Sequence, residues 1–171
     1  MAQKIVKWML GILGGLTSIP FGKELIVFLI SISPVLELRG GLIAASLLHM
    51  NPVESYLIAF IGNLLPVPFI LWFMSSILKW MRNSKHFHKI AKWLDKKVEK
   101  KKSQIEKYGF WGVVLFVGIP LPGTGAWTGC LVASVLEMDR KKAFLATLVG
   151  LFMASAIMMF VSFGVLTKFV G

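Results

Sequence analysis

The chain has 171 residues, of which 56% are hydrophobic and 16% are charged, and its formal net charge is +11 at pH 7. A mean hydropathy of +0.75 argues against a soluble globular domain, in which about a quarter of the residues carry charge. Eleven of the 19 basic residues lie between Lys79 and Lys107, beside apolar segments, so the charge indicates a lipid surface and not nucleic acid as the partner.

Three charge-free stretches each exceed the roughly 20 residues that cross a bilayer: Ser55 to Leu78, Tyr108 to Leu136 and Ala143 to Thr167. They predict an all-α integral membrane protein with a single membrane domain. We divide it into an N-terminal helix (1–24), a first repeat (25–78), a basic linker (79–107) and a second repeat (108–171). The first helix is expected to be retained, and its apolar part, Trp8 to Phe21, is short for a span, so a crossing and an oblique position both stay open.

An internal repeat appears when the sequence is shifted by 88 residues, which aligns nine identical pairs where composition alone predicts roughly three. The pairs include Pro34 with Pro122, Gly41 with Gly129, and Gly62 with Gly150. Asn51 and Asp139 also correspond, and each is a helix-capping residue before an apolar run, with Glu54 predicted to complete a capping box on Asn51. Each repeat is therefore predicted to be one broken segment followed by one transmembrane helix.

The broken segments, residues 25–53 and 108–136, are too short for two full crossings. Proline and glycine predict the breaks, at Ser33, Pro34, Gly40 and Gly41 in the first segment and at Pro120, Pro122 and Gly123 in the second. Two limbs of about 11 residues reach roughly halfway into a 30 Å hydrocarbon core and back, which describes a re-entrant hairpin. A single kinked helix is the alternative.

Positive charge favours the hairpin over the kinked helix. If each broken segment crossed the bilayer, the linker and the cluster Arg140 to Lys142 would face opposite sides, against the positive-inside rule. With re-entrant hairpins both clusters are cytoplasmic, and the two hairpins enter from opposite faces. This predicts an inverted repeat, an arrangement typical of transporters.

The linker carries apolar residues at helical spacing among its lysines: Phe87, Ile90, Leu94 and Val98. The pattern predicts an amphipathic cytoplasmic helix on the membrane surface, and a solvated charged loop is the alternative.

Glu37 and Arg39 are the only charged residues between Leu25 and Val53, and they fall at the predicted hairpin tip. A charge near the bilayer centre costs about 2.5 to 3.5 kcal/mol, which favours a functional role in binding protons or substrate. A structural ion pair is the alternative, although residues two apart do not share a helical face.

The other candidate binding residues are uncharged: Gly40, Gly41, Asn63, Thr124, Gly125 and Thr128. Glycines permit close approach, threonines offer hydroxyls, and Asn63 offers an amide that lines a cavity or bonds another helix. Helix N-termini at the tips favour a phosphate held with Arg39, whereas Glu37 favours a cationic drug or a proton. The sequence leaves both substrate charges open.

Catalytic motifs are missing from the sequence, which has no serine elbow, phosphate-cradling loop, paired catalytic carboxylates or zinc-ligand spacing. We therefore expect no enzyme activity, no metal and no cofactor.

Three segments resemble the small multidrug export family: PVLELRGG at 34–41, GNLLPVPFIL at 62–71 and IPLPGTGAWTG at 119–129. That family is similar in layout to the DedA superfamily, whose inverted re-entrant hairpins are associated with translocation of polyprenyl phosphate or lipids. The resemblance implies a transporter whose matching polar residues are Glu37, Arg39, Asn63, Thr124 and Thr128. DedA relatives carry more charge in the second hairpin than this chain does.

We therefore expect a multi-pass secondary transporter of a prokaryotic plasma membrane, coupled to protons and moving an amphiphilic small molecule. Transport of a lipid phosphate is one alternative, and a nontransporting scaffold that binds anionic membrane lipids through the linker is another. A chain of 171 residues is little protein to enclose a pathway, which favours a homodimer.

Overall fold

The computed structural model describes residues 2–83, 108–121 and 123–165, and within these ranges all regular structure is helical. The helices are α1 (Ala2–Leu13), α2 (Gly22–Ile32), α3 (Glu37–Leu47), α4 (Pro52–Leu64), α5 (Val67–Asn83), α6 (Tyr108–Gly118), α7 (Ala126–Val135) and α8 (Arg140–Met159). A 3-10 helix, Gly14–Ser18, follows α1, and a π-helix, Phe160–Val165, follows α8. The predicted amphipathic linker helix and Pro122 lie outside the described residues.

Among the described residues, two helical stretches are long and apolar enough to cross a membrane, Pro52–Met74 and Arg140–Gly164. The first contains a turn at Leu65 and Pro66 that separates α4 from α5, where the sequence places a helix-breaking proline. Helices α2 and α3 have 11 residues each, or about 16 Å at the usual rise, so neither crosses a hydrocarbon core of about 30 Å.

The N-terminal segment is shorter than a span. Helix α1 has 12 residues and ends at Leu13, and the 3-10 helix that follows contains both Gly14 and Gly15. The apolar stretch from Trp8 to Phe21 is therefore not one continuous helix. Val6 is fully buried, and α1 contacts α2 and α3.

The chain forms two compact units, Met1–Pro66 with Leu151–Gly171, and Val67–Gly150. Each unit contains one pair of short helices joined by a break, α2 and α3 in the first and α6 and α7 in the second. These are the two broken segments that the sequence predicts.

The first pair is an antiparallel hairpin. The ammonium group of Lys23, at the start of α2, donates a 3.1 Å hydrogen bond to the backbone carbonyl of Leu48, at the end of α3. A single kinked helix would hold these residues tens of ångströms apart. The kinked-helix alternative is therefore wrong for this segment.

Glycine lets the helices of the first unit meet closely. A Cβ atom at Gly41 of α3 would collide with the hydroxyl of Ser31 on α2. A Cβ atom at Gly62 of α4 would lie 3.1 Å from the carbonyl oxygen of Phe28 on α2. Both glycines are buried, so α2, α3 and α4 pack around small residues, as membrane helices commonly do.

The second unit uses the corresponding glycines in the same way. A Cβ atom at Gly129 of α7 would collide with the side chain of Val117 on α6, and one at Gly150 of α8 would lie 2.8 Å from the carbonyl oxygen of Val114. These glycines follow Gly41 and Gly62 by 88 residues, so the sequence identity has a packing cause in each unit.

The hairpins also end in the same cap. His49 and Glu137, 88 residues apart, both have a φ of 53°, and each follows the last turn of its helix. The next amide, Met50 N–H, donates to the Ala45 carbonyl at 3.1 Å, and the equivalent bond from Met138 to Ala133 measures 3.0 Å. This is a Schellman motif at both positions.

The predicted N-caps of the two long helices are confirmed. The Oδ1 atom of Asn51 accepts a 2.9 Å bond from the N–H of Val53, and that of Asp139 accepts a 3.1 Å bond from the N–H of Lys141. Asn51 thus caps α4 through Val53, and the reciprocal bond that a capping box would add from Glu54 is not part of this cap.

Two glycines expected at the first break lie elsewhere. Residues 33–36 form the break, with Pro34 in it as predicted, whereas Gly40 and Gly41 lie inside α3. They do not interrupt the helix because a glycine-rich turn is stable in an α-helix when close packing requires a small residue there.

Candidate functional site

Glu37 begins α3 at the tip of the first hairpin. Its φ of 53° is unusual for a residue other than glycine, and its side chain is only 6% exposed. The N–H of Glu37 donates to the carbonyl of Ser33 at 3.1 Å, and the Ser33 hydroxyl donates to the Ile30 carbonyl at 2.8 Å. The break between α2 and α3 therefore holds the backbone of Glu37 in a defined position.

Arg39 follows two residues later, is half-buried and interacts electrostatically with Glu37. Residues two apart do not share a face of a regular helix. Glu37 departs from that geometry, because its positive φ turns its side chain in a direction that differs from that of a helical residue. The acid and the guanidinium are therefore neighbours at the tip.

Asn63 lies level with Glu37 on the adjacent helix. A Cβ atom at Gly41 of α3 would lie 3.3 Å from the Cβ of Ala59 on α4, which fixes the register of this antiparallel pair. Glu37 is one helical turn before Gly41, and Asn63 is one turn after Ala59, so both displacements run toward the hairpin tip. This register puts Asn63 at the level of Glu37 along the two helices.

The amide oxygen of Asn63 has no hydrogen-bond partner, although the residue is only 1% exposed. Leaving a buried acceptor unsatisfied costs about 1 to 3 kcal/mol, a cost that functional sites commonly carry. An acceptor of this kind is suited to a proton donor or a cation that enters from outside the chain.

The second hairpin places three predicted residues around its break. Gly123 and Gly125 have φ values of 83° and 149°, which side chains disfavour, and Gly125 is the N-cap of α7. Thr124 lies between them, and its Oγ1 atom accepts a 3.2 Å bond from the N–H of Leu121. The same hydroxyl lies 2.9 Å from the carbonyl oxygens of both Ile119 and Leu121. The Thr124 hydroxyl therefore shapes this loop.

Thr128 lies one turn into α7 and is half-buried, and its hydroxyl donates a long 3.4 Å bond to the Gly125 carbonyl. Pro120 lies in the break, as predicted. Within the second unit the structure thus groups Thr124, Gly125 and Thr128 around the start of α7.

Some buried polar groups were not predicted from the sequence. Ser31 packs against Gly41 beside the first break. The Oγ1 atom of Thr147 on α8 lies 3.9 Å from the Sγ atom of Cys130 on α7. Ser162, in the π-helix, is fully buried with a hydroxyl oxygen that has no partner. In the sequence, each of these residues is a lone hydroxyl residue within a charge-free stretch. Such residues are too common in membrane helices to be recognised as functional from the sequence.

Metal binding finds no support in the described part of the chain, where no three His, Cys, Asp or Glu side chains are grouped to hold an ion. The chemistry available at the first tip is that of one buried acid, one guanidinium and one amide. Such a set can bind and release a proton and can contact a charged or polar ligand.

Comparison with known proteins identifies a protein family. A family model described as "Putative small multi-drug export protein" matches residues 37–157, which is more than half of the chain. The matched range begins at Glu37, directly after the first hairpin break, and includes Asn63 and the second break. No curated protein and no solved structure matches the chain.

Proposed function

This chain belongs to the small multidrug export protein family, and on that premise we propose that it is an integral membrane secondary transporter of an amphiphilic cation, coupled to protons through Glu37. The observation that carries the proposal is the buried Glu37 carboxylate, which lies level with the unsatisfied amide oxygen of Asn63.

Glu37 is suited to exchange a proton for a cation. An ionised carboxylate in the hydrocarbon region is costly, so the site is more stable when the carboxylate is protonated or faces a positive partner. Arg39 is such a partner, because it interacts electrostatically with Glu37. A cationic substrate that displaces Arg39, or a proton that neutralises Glu37, satisfies the same requirement, which makes the two mutually exclusive.

The charge of the substrate follows from the position of Glu37 at the first residue of α3. The N-terminus of a helix attracts anions, and here the carboxylate of Glu37 already lies at that end. An anionic headgroup would have to compete with this carboxylate. A cation is therefore the better ligand for the first tip, and the amide oxygen of Asn63 supplies a second acceptor for it.

We further propose that both hairpins are re-entrant and that the repeats are inverted. The short limbs, the antiparallel hairpin held by Lys23 and Leu48, and the two recurring caps support hairpins that return to the face they enter. Inversion rests on the positive charge of the linker and of Arg140 to Lys142. Lys23 is a single basic residue at the end that this arrangement makes external.

The roles of the other predicted residues follow from this arrangement. Arg39 acts as the displaceable partner of Glu37, and Gly40 and Gly41 let α3 pack closely against α2 beside it. Thr124, Gly125 and Thr128 shape the second tip, where they would contact the substrate.

Transport in reconstituted vesicles tests the proposal. Purified full-length protein in liposomes with an imposed pH gradient should accumulate a fluorescent lipophilic cation such as ethidium, and dissipating the gradient should stop the uptake. Glu37→Gln should abolish the uptake because it cannot exchange a proton. Glu54→Gln is the matched control, since Glu54 is exposed in the first turn of α4 and its loss should leave uptake unchanged.

Two results would overturn the proposal: uptake by Glu37→Gln equal to that of the unsubstituted protein, or no cation movement at all. Arg39→Ala should also prevent transport while the protein still expresses and folds. Lipid association without movement of any substrate would identify the scaffold alternative.

Translocation of a lipid phosphate is the second candidate, favoured by the second hairpin. The first turn of α7 has no acidic residue, so its positive helix end carries no carboxylate that would repel an anion. A fluorescent phospholipid or polyprenyl phosphate in the same vesicles separates the candidates. Movement of the lipid phosphate without movement of ethidium would select the second one.

A further inference from the structure

The second unit contains a cleft that the proposed transport site does not use. Its volume is about 430 Å³, and it is lined by Pro68 and Leu71 of α5 and by Arg140, Lys141, Phe144 and Leu145 of α8. None of these residues belongs to either hairpin tip. The cleft is therefore a separate feature of the molecule.

The lining divides into a cationic end and an apolar end. Phe144 follows Arg140 by four residues and Leu145 follows Lys141 by four, so each apolar side chain lies one turn along α8 from a cation on the same face. Pro68 and Leu71 extend the apolar wall from α5. An occupant that matches this lining has a negative head and a hydrocarbon body.

The position along α8 fits a membrane surface. Arg140 begins the apolar stretch Arg140–Gly164, which is long enough to cross a bilayer, so the cations lie at its end and Phe144 and Leu145 lie inside it. Arg140 and Lys141 are exposed. Lipid phosphates occupy the same depth as such terminal cations, and acyl chains begin below them.

The neighbouring carboxylate does not neutralise this end of the cleft by binding its cations. Asp139 Oδ1 accepts hydrogen bonds from the backbone N–H groups of Lys141 and Lys142, at 3.1 and 3.2 Å, and so serves as the cap of α8. The cluster Arg140 to Lys142 has three positive charges against the two neighbouring acids, Glu137 and Asp139. Charge complementarity thus selects an anionic headgroup.

We propose that this cleft binds one membrane phospholipid with an anionic headgroup, its phosphate held by Arg140 and Lys141 and the start of an acyl chain packed on Phe144, Leu145 and Pro68. A volume of about 430 Å³ is in the range of small-ligand pockets, which suits a headgroup and the first methylenes of a chain and not an entire lipid. The site is distinct from the Glu37 site and does not depend on its transport role.

Lipid binding to the purified full-length chain in neutral detergent tests this, with bound lipids counted by native mass spectrometry. Phosphatidylglycerol should bind, and phosphatidylcholine, which has no net charge, should bind much more weakly. The double variant Arg140→Gln, Lys141→Gln should weaken phosphatidylglycerol binding about thirtyfold, the loss expected for two surface cations. Leu145→Gln should also weaken it by removing apolar wall.

Matched controls distinguish lipid binding in this cleft from nonspecific attraction to positive surface charge. Lys142→Gln removes a cation of the same cluster that does not line the cleft, and Lys4→Gln with Lys7→Gln removes two exposed cations from α1. Both should keep phosphatidylglycerol binding within about twofold. An equal loss in either control would overturn the proposal, as would equal binding of the two lipids.

Two further measurements test the lipid headgroup and the role of charge. Inorganic phosphate should not displace the lipid at millimolar concentration, and displacement by it would show a free-anion site instead. Arg140→Lys retains the charge and should bind phosphatidylglycerol as before, so its failure to do so in folded protein would overturn a role based on charge.

Discussion

The Lys23 ammonium donates a 3.1 Å hydrogen bond to the carbonyl of Leu48, 25 residues further along the chain. This bond closes the open end of the first hairpin and places the start of α2 beside the end of α3. It has a direct consequence for membrane topology, because two residues that touch must lie on the same side of a bilayer.

Side-specific labelling should therefore find Lys23→Cys and His49→Cys on one face. Both positions are exposed, and a membrane-impermeant maleimide should label both from the same side of intact cells or oriented vesicles. A Cys130→Ala background removes the native thiol, which is buried. Labelling of the two positions from opposite sides would rule out the re-entrant arrangement.

Closing the space at Gly41 should destabilise the first unit. Gly41→Ala forces a methyl group against the Ser31 hydroxyl and should cost about 1 to 3 kcal/mol, seen as a lower Tm in detergent. Gly11→Ala in α1 is the control because no atom lies within 4 Å of its added Cβ. It should be neutral or stabilising, and a Tm loss as large as that of Gly41→Ala would remove the packing explanation.

Relieving the two Schellman caps should stabilise the protein. His49 and Glu137 each adopt a φ of 53°, which glycine tolerates without strain. His49→Gly and Glu137→Gly should each add about 0.5 to 1 kcal/mol of stability. Val53→Gly, at an exposed position in the first turn of α4, should lose stability instead, because glycine is a poor helix former. Thermal unfolding measures all three, and a lower Tm in both cap variants would contradict the assigned role.

Asn63→Leu should separate stability from transport. The substitution removes an unsatisfied buried acceptor, so the protein should be as stable as before or more stable by about 1 to 2 kcal/mol. Cation uptake into vesicles should fall at least tenfold if Asn63 contacts the substrate. Full uptake in a folded Asn63→Leu variant would leave Asn63 without a role in binding.

Thr124→Val should loosen the second break. The substitution removes the hydroxyl that bonds Leu121 and Ile119 within the loop, at a cost of about 1 to 2 kcal/mol. Thr124→Ser keeps the hydroxyl and should retain most of the stability. Amide hydrogen exchange in the loop should rise in the valine variant alone, and equal exchange in both variants would show that the methyl group matters instead.

Much of the local structure could be predicted from the sequence. The 88-residue offset predicted corresponding helices, and the structure repeats their caps at His49 and Glu137 and at Asn51 and Asp139. Pro34 and Pro120 lie in the breaks, as expected from the absence of a proline N–H donor. Capping and helix breaking depend on residues close in sequence, which is why a linear pattern was sufficient for them.

The tertiary structure decided which residues meet. The sequence placed Gly40 and Gly41 among the interrupting residues, whereas they lie inside α3, packed closely against Ile30 and Ser31 of α2. It also could not show that Asn63 lies level with Glu37, since that depends on the register of α3 against α4. Hydropathy marks the buried face of a helix in water, but a membrane helix is apolar on every side. Close contact between small residues therefore sets the register, and only the folded chain reveals it.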